Sequence, residues 1–404
     1  MNSIAFNLLI ITAWLTLILW CGGAWLTRRG IRRQRELGVI ENPTPKDEAA
    51  PMVSILVPAR NEANRTLEIS VASMLAQDYE NYEVIITDDR SIDATGEILR
   101  RLARRDARLK IIVGKDLPAG WLGKPHAMEQ ALEVARGSWI LATDADMLFD
   151  RRALSTTLFY AETNGYDALT LLPRVECVTF WERVFMPTFG WFVLLARPLE
   201  RVNDAEKADA LGVGGFFLVR RAWLERIGGW RAVRAEVAED LRLAEKLKAA
   251  GARLRIEYAP RLVQTRMQTN LAEIWEGFTK NLYAGTGFSL ERAMMGGGAV
   301  FIFSVLPSVG AFVCFVMWMI SNSNAWMMLC VPLALVWAVQ ALTFGFVYKQ
   351  IELPLRFAWL APLGHLLFVM ILFNSAFKIA FGSGVMWKGR VLYRRDGVRP
   401  PRDA

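Results

Sequence analysis

The chain has 404 residues, a formal net charge of +8, 53% hydrophobic residues and a mean hydropathy of +0.23; its apolar residues crowd the N-terminus and the last quarter, which suits one soluble domain with a membrane-embedded part better than two soluble domains. Four cysteines (Cys21, Cys177, Cys314, Cys330) without a CxxC pair and two histidines (His126, His365) exclude a disulfide framework, a zinc site and a histidine-based metal centre, so any metal site must be built from carboxylates, which narrows the ion to magnesium or manganese. The surplus Arg and Lys lies beside the apolar segments and not along one face of the central region, which argues against nucleic acid as a partner.

Ile4 to Leu26 carries no charge and is close to the roughly 20 residues that cross a hydrocarbon core. Arg28, Arg29, Arg32, Arg33 and Arg35 come after it, whereas a cleaved signal peptide carries its positive charges in front. The stretch reads as a retained anchor, and the positive-inside tendency keeps the central region in the cytoplasm. Glu41 to Pro51 reads as a linker. Met52 to Pro58 and Tyr82 to Thr87 read as strands with a helix from Leu67 to Leu75 between them, a βαβ unit. Ile98 to Leu109 then reads as a basic surface helix, Lys110 to Val113 as a strand, Ala127 to Ala135 as a helix and Trp139 to Thr143 as a strand. Alternation of this kind implies an α/β domain with a mainly parallel sheet covered on both faces, whose ligands sit at the carboxyl ends of the strands.

Beyond Met294, the segments Gly296 to Ile320, Ala325 to Tyr348 and Phe357 to Phe377 are three further candidates for crossing a bilayer. With the central domain inside, three crossings put the basic tail (Lys388, Arg390, Arg394, Arg395, Arg399) outside, against the positive-inside tendency. Pro362, Gly364 and His365 interrupt the last segment, which leaves a re-entrant or interfacial placement open.

Carboxylates gather where the strands end. Asp88 and Asp89 come after the second strand, and Asp144 and Asp146 after the fourth. Either cluster alone reads equally well as structural, and Asp93 suits a helix cap. Together, at the mouth of one sheet, they favour a site. An Asp-x-Asp in an extended or turn segment directs both carboxylates to one side, where they can hold a hard divalent ion that keeps positions open for diphosphate oxygens. Lys124, in Gly120-Trp121-Leu122-Gly123-Lys124-Pro125-His126-Ala127, is either a phosphate-neutralising cation or a lysine on a solvated loop, and this is not a Walker A loop. Gly212-Val213-Gly214-Gly215-Phe216-Phe217 is either a close backbone approach to a ligand or a tight turn into a buried strand. Glu239 and Asp240 open an amphipathic helix running to Leu247; they suit the helix dipole, and one of them also suits a general base. Phe180 to Leu199, rich in Trp and Phe, reads either as an interfacial helix that brings the domain onto a bilayer or as a buried core helix.

In this order, Pro58-Ala59-Arg60-Asn61-Glu62, Asp88-Asp89-Arg90-Ser91-Ile92-Asp93, Gly123-Lys124, Asp144-Ala145-Asp146 and Glu239-Asp240 resemble the family 2 glycosyltransferases with the GT-A fold, over roughly Pro51 to Gly287. The resemblance implies a nucleotide-sugar-binding GT-A domain, a metal-dependent inverting transfer by one in-line displacement, and a UDP-sugar donor. It implies that Ala59, Glu62 and Asp88 or Asp89 contact the nucleoside, that Lys124 approaches the diphosphate, that Asp144 and Asp146 hold the diphosphate and a Mg2+ or Mn2+ ion, and that Asp240 is the catalytic base. The anchor, the run Pro118 to Lys124 and the tail Trp387-Lys388-Gly389-Arg390-Val391-Leu392-Tyr393 look like hopanoid-associated and carotenoid-acid glycosyltransferases of bacteria, and more distantly like ceramide glucosyltransferases. Those relatives and the processive synthases carry a Gln/Arg-x-x-Arg-Trp motif before the first C-terminal membrane helix. Here Trp275-Glu276-Gly277-Phe278-Thr279-Lys280-Asn281-Leu282 lacks the Arg-Trp pair, which counts against a cellulose- or hyaluronan-type polymerase and leaves Lys280 as the candidate substitute.

The expected organisation is therefore an anchor over residues 1–27, a basic juxtamembrane segment and linker over 28–51, the GT-A domain over 52–290, about three membrane helices over 296–381, and a basic tail over 382–404. The expected protein is a multi-pass enzyme of the cell (inner) membrane with its catalytic domain in the cytoplasm and a lipid acceptor. A polysaccharide synthase or exporter component, and a catalytically silent nucleotide-sugar-binding scaffold, are the alternatives. The sugar and the oligomeric state are not readable.

Overall fold

The computed structural model describes residues 3–41, 43, 50–63, 65–382, 384–387 and 390–393. The rest of the expected linker and the tail residues Lys388, Arg394, Arg395 and Arg399 lie outside the described residues. The chain divides into two compact units.

The first consists of Arg35–Glu176 and Arg197–Met267, together with the described residues after Gly382. Its strands in chain order are β1 (Val53–Ala59), β2 (Tyr82–Asp88), β3 (Leu109–Val113), β4 (Trp139–Ala142), β5 (Met147–Phe149), β6 (Ala168–Leu172), β7 (Arg174–Val175), β8 (Phe217–Arg220), β9 (Leu254–Tyr258), β10 (Val263–Thr265) and the hairpin pair β11 (Val385–Trp387) and β12 (Arg390–Tyr393). Seven of them form one sheet in the order β3-β2-β1-β4-β8-β6-β9, parallel except for β8, which runs against both neighbours. Side chains alternate along each strand. Val53, Ile55 and Val57 therefore face one core, with helices Leu67–Leu75, Thr95–Ala103 and Ala153–Asn164. Leu56, Ile85 and Ile140 face the other, with helices Gly123–Val134 and Glu239–Ala249. Because the chain leaves β1 toward β2 and β3 and then returns to place β4 on its other edge, the switch point lies between β1 and β4. A crevice opens there at the carboxyl ends of the strands.

The expected basic helix from Ile98 to Leu109 is shorter, Thr95–Ala103. Leu109 instead opens β3 opposite Val84, and Asp106 accepts a hydrogen bond from the Arg108 backbone N–H at 2.9 Å, turning the chain before the strand begins. The sheet's far half, β6, β8 and β9, and the small sheet β5-β10-β7 were not resolved as elements by periodicity.

The second unit comprises Met1–Gln34, Cys177–Ala196 and Gln268–Gly382. Among the described residues, four helices in it are long and apolar enough to cross a membrane: Ile4–Arg33, Leu290–Ser321, Asn324–Gln350 and Leu355–Ala380. Pro362 stands in the first turn of helix Ala361–Ala380, where a missing N–H costs nothing. The expected segment Phe357 to Phe377 is thus divided at the proline, the preceding Leu355–Leu360 forming a 3-10 helix, while Gly364 and His365 lie inside the α-helix. The second long helix contains a π-turn at Phe301–Val305, just before Pro307. Proline lacks the N–H that would serve a carbonyl one turn earlier, and side chains supply the donors: Trp20 Nε1 reaches the Phe303 carbonyl at 2.8 Å and Gln340 Nε2 the Ser304 carbonyl at 2.9 Å. Helix Phe180–Ala196 belongs to this unit. Its first half is buried, with Val184 1% and Phe185 0% exposed, so that half is a core helix.

Candidate functional site

The site is built entirely within the sheet-bearing unit. Ala59 ends β1 and Asp88 ends β2, opposite each other in register. Asp88 turns inward: its Oδ1 accepts the Ser91 N–H at 3.0 Å, and a Cβ on Gly96 would lie 2.7 Å from its Oδ2. It therefore shapes the loop after β2. Asp89 is 5% exposed, its N–H donates to the Ala59 carbonyl at 2.8 Å, and its carboxylate lies 3.7 Å from Arg90 Nε. Glu62 is buried at the start of the loop after β1, its backbone N–H bonded to Thr95 Oγ1 at 2.7 Å. Asp93 does not cap its helix by the usual bond; it accepts from the Thr95 and Ala63 backbone N–H groups and ties the two loops together.

Across the switch point, Lys124 stands in the first turn of helix Gly123–Val134. Its Nζ lies 2.7 Å from Asp144 Oδ1 and 2.7 Å from Glu239 Oε1. Asp144 and Asp146 are half-buried and Ala145 between them is buried, in the turn that connects β4 to β5. Asp240 Oδ2 accepts the Gly214 N–H at 2.7 Å and its Oδ1 the Leu241 N–H at 2.8 Å. The glycines are required by proximity: a Cβ on Gly212 would meet the Asp240 carbonyl at 2.2 Å, and one on Gly214 would meet Lys124 Nζ at 2.8 Å. The run is the turn into buried β8, packed closely against Asp240 and Lys124. A small space of about 10 Å³ here is lined by Lys124, Thr143, Gly214, Glu239 and Asp240 and by the apolar side chains of Met128, Phe217, Trp230 and Leu243.

Burial opposes the Lys124 ammonium, but the charges of Asp144, Glu239 and Asp240 outweigh it and hold the lysine well above its ordinary range. Burial pushes Glu239 up to about 7 against the pull of Lys124, and raises Asp240 in the same way. Among the described residues no group of three or more His, Cys, Asp or Glu is placed to hold a metal ion. Any ion here would be held by the Asp144–Asp146 pair and completed by ligand oxygens. Lys280 lies outside this unit, at the C-terminal cap of helix Leu271–Thr279.

Sequence reading missed Glu239 as the partner of Lys124 and the Gly214 N–H that holds Asp240. The adjacency of Glu239 to Asp240 was a signal; for Gly214, only chain folding supplies one.

Residues 54–228 match the family model described as glycosyl transferase family 2. The chain carries a family 2 glycosyltransferase domain. It is 36% identical over 135 residues to glycosyltransferase AglD of Haloferax volcanii, covering 32% of this chain and 20% of that protein. It is 28% identical over 245 residues to beta-monoglucosyldiacylglycerol synthase of a Nostoc species, covering 59% of this chain and 49% of that protein. The chain thus spans half or less of the length of these relatives. The family 2 fold is also that of mannosyltransferase PcManGT from Pyrobaculum calidifontis, solved with GDP-Man and Mn2+, with a TM-score of 0.50 at 17% identity over 83% of this chain and 96% of that one. This is the GT-A arrangement, here joined in one chain to four apolar helices.

Proposed function

We propose that the family 2 domain transfers a sugar from a nucleotide-sugar donor, a UDP-sugar, to a hydroxyl or carboxyl group of a membrane lipid. The observation that carries the reading is the cluster at the switch point, where one ammonium, Lys124, faces Asp144, Glu239 and Asp240. Three carboxylates against one cation leave room for a further positive charge, which fits a magnesium or manganese ion held by Asp144 and Asp146. Such an ion, when bound, neutralises the leaving diphosphate.

In this reading Ala59, Glu62 and Asp89 bound the nucleoside, and Asp88 shapes their loop. Lys124 exchanges carboxylate oxygens for diphosphate oxygens as the donor enters. Asp240, fixed by two backbone N–H groups, takes the proton of the acceptor as its oxygen attacks the anomeric carbon and the bond to the diphosphate breaks on the opposite face. A raised pKa suits that step, since proton transfer is most efficient when the base is poised near the working pH. The apolar helices and the diacylglycerol acceptor named for one relative support a lipid acceptor. The arginines Arg28 to Arg33 in the last turns of the first helix, and Arg35 just beyond it, support a cytoplasmic, inner-membrane placement of the domain.

The test is incubation of the purified protein in detergent with a panel of UDP-sugars, Mg2+ or Mn2+ and total membrane lipid, measuring UDP release alongside label transfer into lipid. Release that requires lipid, falls away with EDTA and is lost in Asp146→Asn is the expected outcome. No release with any donor and lipid would overturn the reading.

A further inference from the structure

We propose that Arg183 and Arg356 hold the phosphate of an anionic phospholipid at the surface of the membrane unit. Every residue of the site lies within that unit, and neither the donor nor the acceptor of the family 2 domain enters into it.

Phe357 lies in the 3-10 helix Leu355–Leu360, and its ring is buried in a core shared with Val184, Phe344 and Tyr348. Two guanidiniums stack on this one ring, Arg183 at 5.4 Å and Arg356 at 5.5 Å from its centroid. The ring attracts each cation singly, but two like charges gathered around it repel each other. Neither arginine makes an ion pair among the described residues to offset this. Glu182, the acid next to Arg183 in sequence, turns its Oε2 to the Val178 and Thr179 backbone N–H groups. An anion between the two guanidiniums would remove the repulsion.

Arg183 is oriented for one. Its backbone carbonyl accepts the Tyr348 hydroxyl, and its Nε donates to the Cys177 carbonyl at 3.1 Å. Nη1 and Nη2 make no hydrogen bond with the described residues, and they form the end of the guanidinium fork that matches two oxygens of a phosphate. Arg356 is exposed and has no hydrogen-bond partner among the described residues, so its long side chain can swing toward the same anion.

The surroundings are those of a bilayer surface. The turn 351–354 joins the long helices Asn324–Gln350 and Leu355–Ala380, so Arg356 stands at the start of a span. Arg28, near the arginine-rich end of the first helix, lies over the Phe346 ring at 5.5 Å, which puts that end and this turn at the same end of the unit. In the orientation proposed above, this end meets the cytoplasmic leaflet, where anionic lipids gather. Leu355, Trp359 and Phe180 are exposed around the two arginines, and the Phe180 ring lies 5.9 Å from that of Phe357. Cations bordered by exposed apolar and aromatic side chains fit a molecule with a phosphate at one end and acyl chains at the other. A zwitterionic lipid would bring its own ammonium to two cations and forfeit the net attraction. Free phosphate would leave the apolar border unused.

The experiment combines native mass spectrometry and thermal melts of the full chain in a neutral detergent, titrated with dioleoylphosphatidylglycerol, dioleoylphosphatidylcholine or inorganic phosphate. Phosphatidylglycerol should bind saturably, raise the melting midpoint and bind at least about tenfold tighter than phosphatidylcholine. Inorganic phosphate in large excess should not displace it. Arg183→Gln and Arg356→Gln should each weaken it about tenfold, and Arg183→Lys, which keeps the charge but loses the fork, should recover only part of the loss. Arg32→Gln removes the same charge from the exposed end of the first helix and should change binding by less than about threefold. Equal binding of the two lipids, displacement by inorganic phosphate, or as large a loss in Arg32→Gln would overturn the site. If Arg183→Gln does not melt cooperatively, Arg356→Gln, at an exposed position, decides alone, and unchanged binding in it would overturn the site as well.

Discussion

Asp240 and Glu239 are neighbours in sequence with different surroundings. Asp240 spends both carboxylate oxygens on backbone N–H groups, whereas Glu239, 5% exposed, pairs with Lys124. Asp240→Asn should lower turnover by about 10²- to 10⁴-fold while UDP affinity changes less than about threefold. An amide carries a single acceptor oxygen, so one of the two N–H groups loses its partner, and the variant should also unfold more readily, by roughly 1–3 kcal/mol. Nucleotide calorimetry and a thermal melt separate the two effects. Glu239 carries a pH signature. Its folded pKa of about 7 stands above the ordinary 4.5, so the folded state binds the extra proton. Its contribution to stability is full below about pH 4.5 and is lost as the pH rises through about 7. Melting midpoints of the ligand-free protein across that window should show this fall, and Glu239→Gln should flatten it. The acids could be read from sequence because carboxylates after strands are a local pattern; that Lys124 bridges Asp144 and Glu239 depends on three segments far apart in the chain.

At the scale of elements, two glycines mark where backbones meet. A Cβ on Gly212 would lie 2.2 Å from the Asp240 carbonyl, against backbone and not a side chain that can swing away. Gly212→Ala should therefore shift the start of helix Glu239–Ala249 and cost at least about tenfold in turnover, with an overpacking penalty of about 1–3 kcal/mol in stability. Kinetics and melts of one preparation measure both. In the membrane unit, a Cβ on Gly364 would lie 2.3 Å from Thr188 Oγ1 and 2.7 Å from the Val184 carbonyl, so helices Phe180–Ala196 and Ala361–Ala380 cross closely there. Gly364→Val should lower the melting midpoint in detergent, whereas Gly345→Ala, whose Cβ would meet nothing within 4 Å, should not. The strands β1, β2 and β4 and the helix Leu67–Leu75 were visible as periodic runs, and the structure returns them within a residue or so. Strands β6, β8 and β9 were not. They are short, and β8 and β9 lead from or into helices with no repeated pattern, so their identity as strands comes from pairing with partners distant in sequence.

For the whole molecule, the proposed cytoplasmic placement of the domain makes a definite prediction about sidedness: the turn between the second and third long helices lies on the outer face of the membrane. A cysteine at Asn322, in the turn between the second and third long helices, should react with an impermeant thiol reagent on intact cells, and one at Asp116, whose side chain is 99% exposed on the domain, only after permeabilisation. The reverse pattern would place the domain outside. By itself the sequence determined the class of the protein. Runs of about 20 apolar residues, alternating strands and helices, and ordered acids are local properties, and local properties survive without knowledge of the fold. Only the tertiary structure decided which groups act together. It turned Asp88 inward to hold a loop, set Gly214 against Asp240 and brought Lys124 between Asp144 and Glu239. Each of these depends on the distance between atoms separated along the chain. No pattern in the sequence encodes such a distance, because the return of the chain from β3 to β4 at the switch point is what creates it.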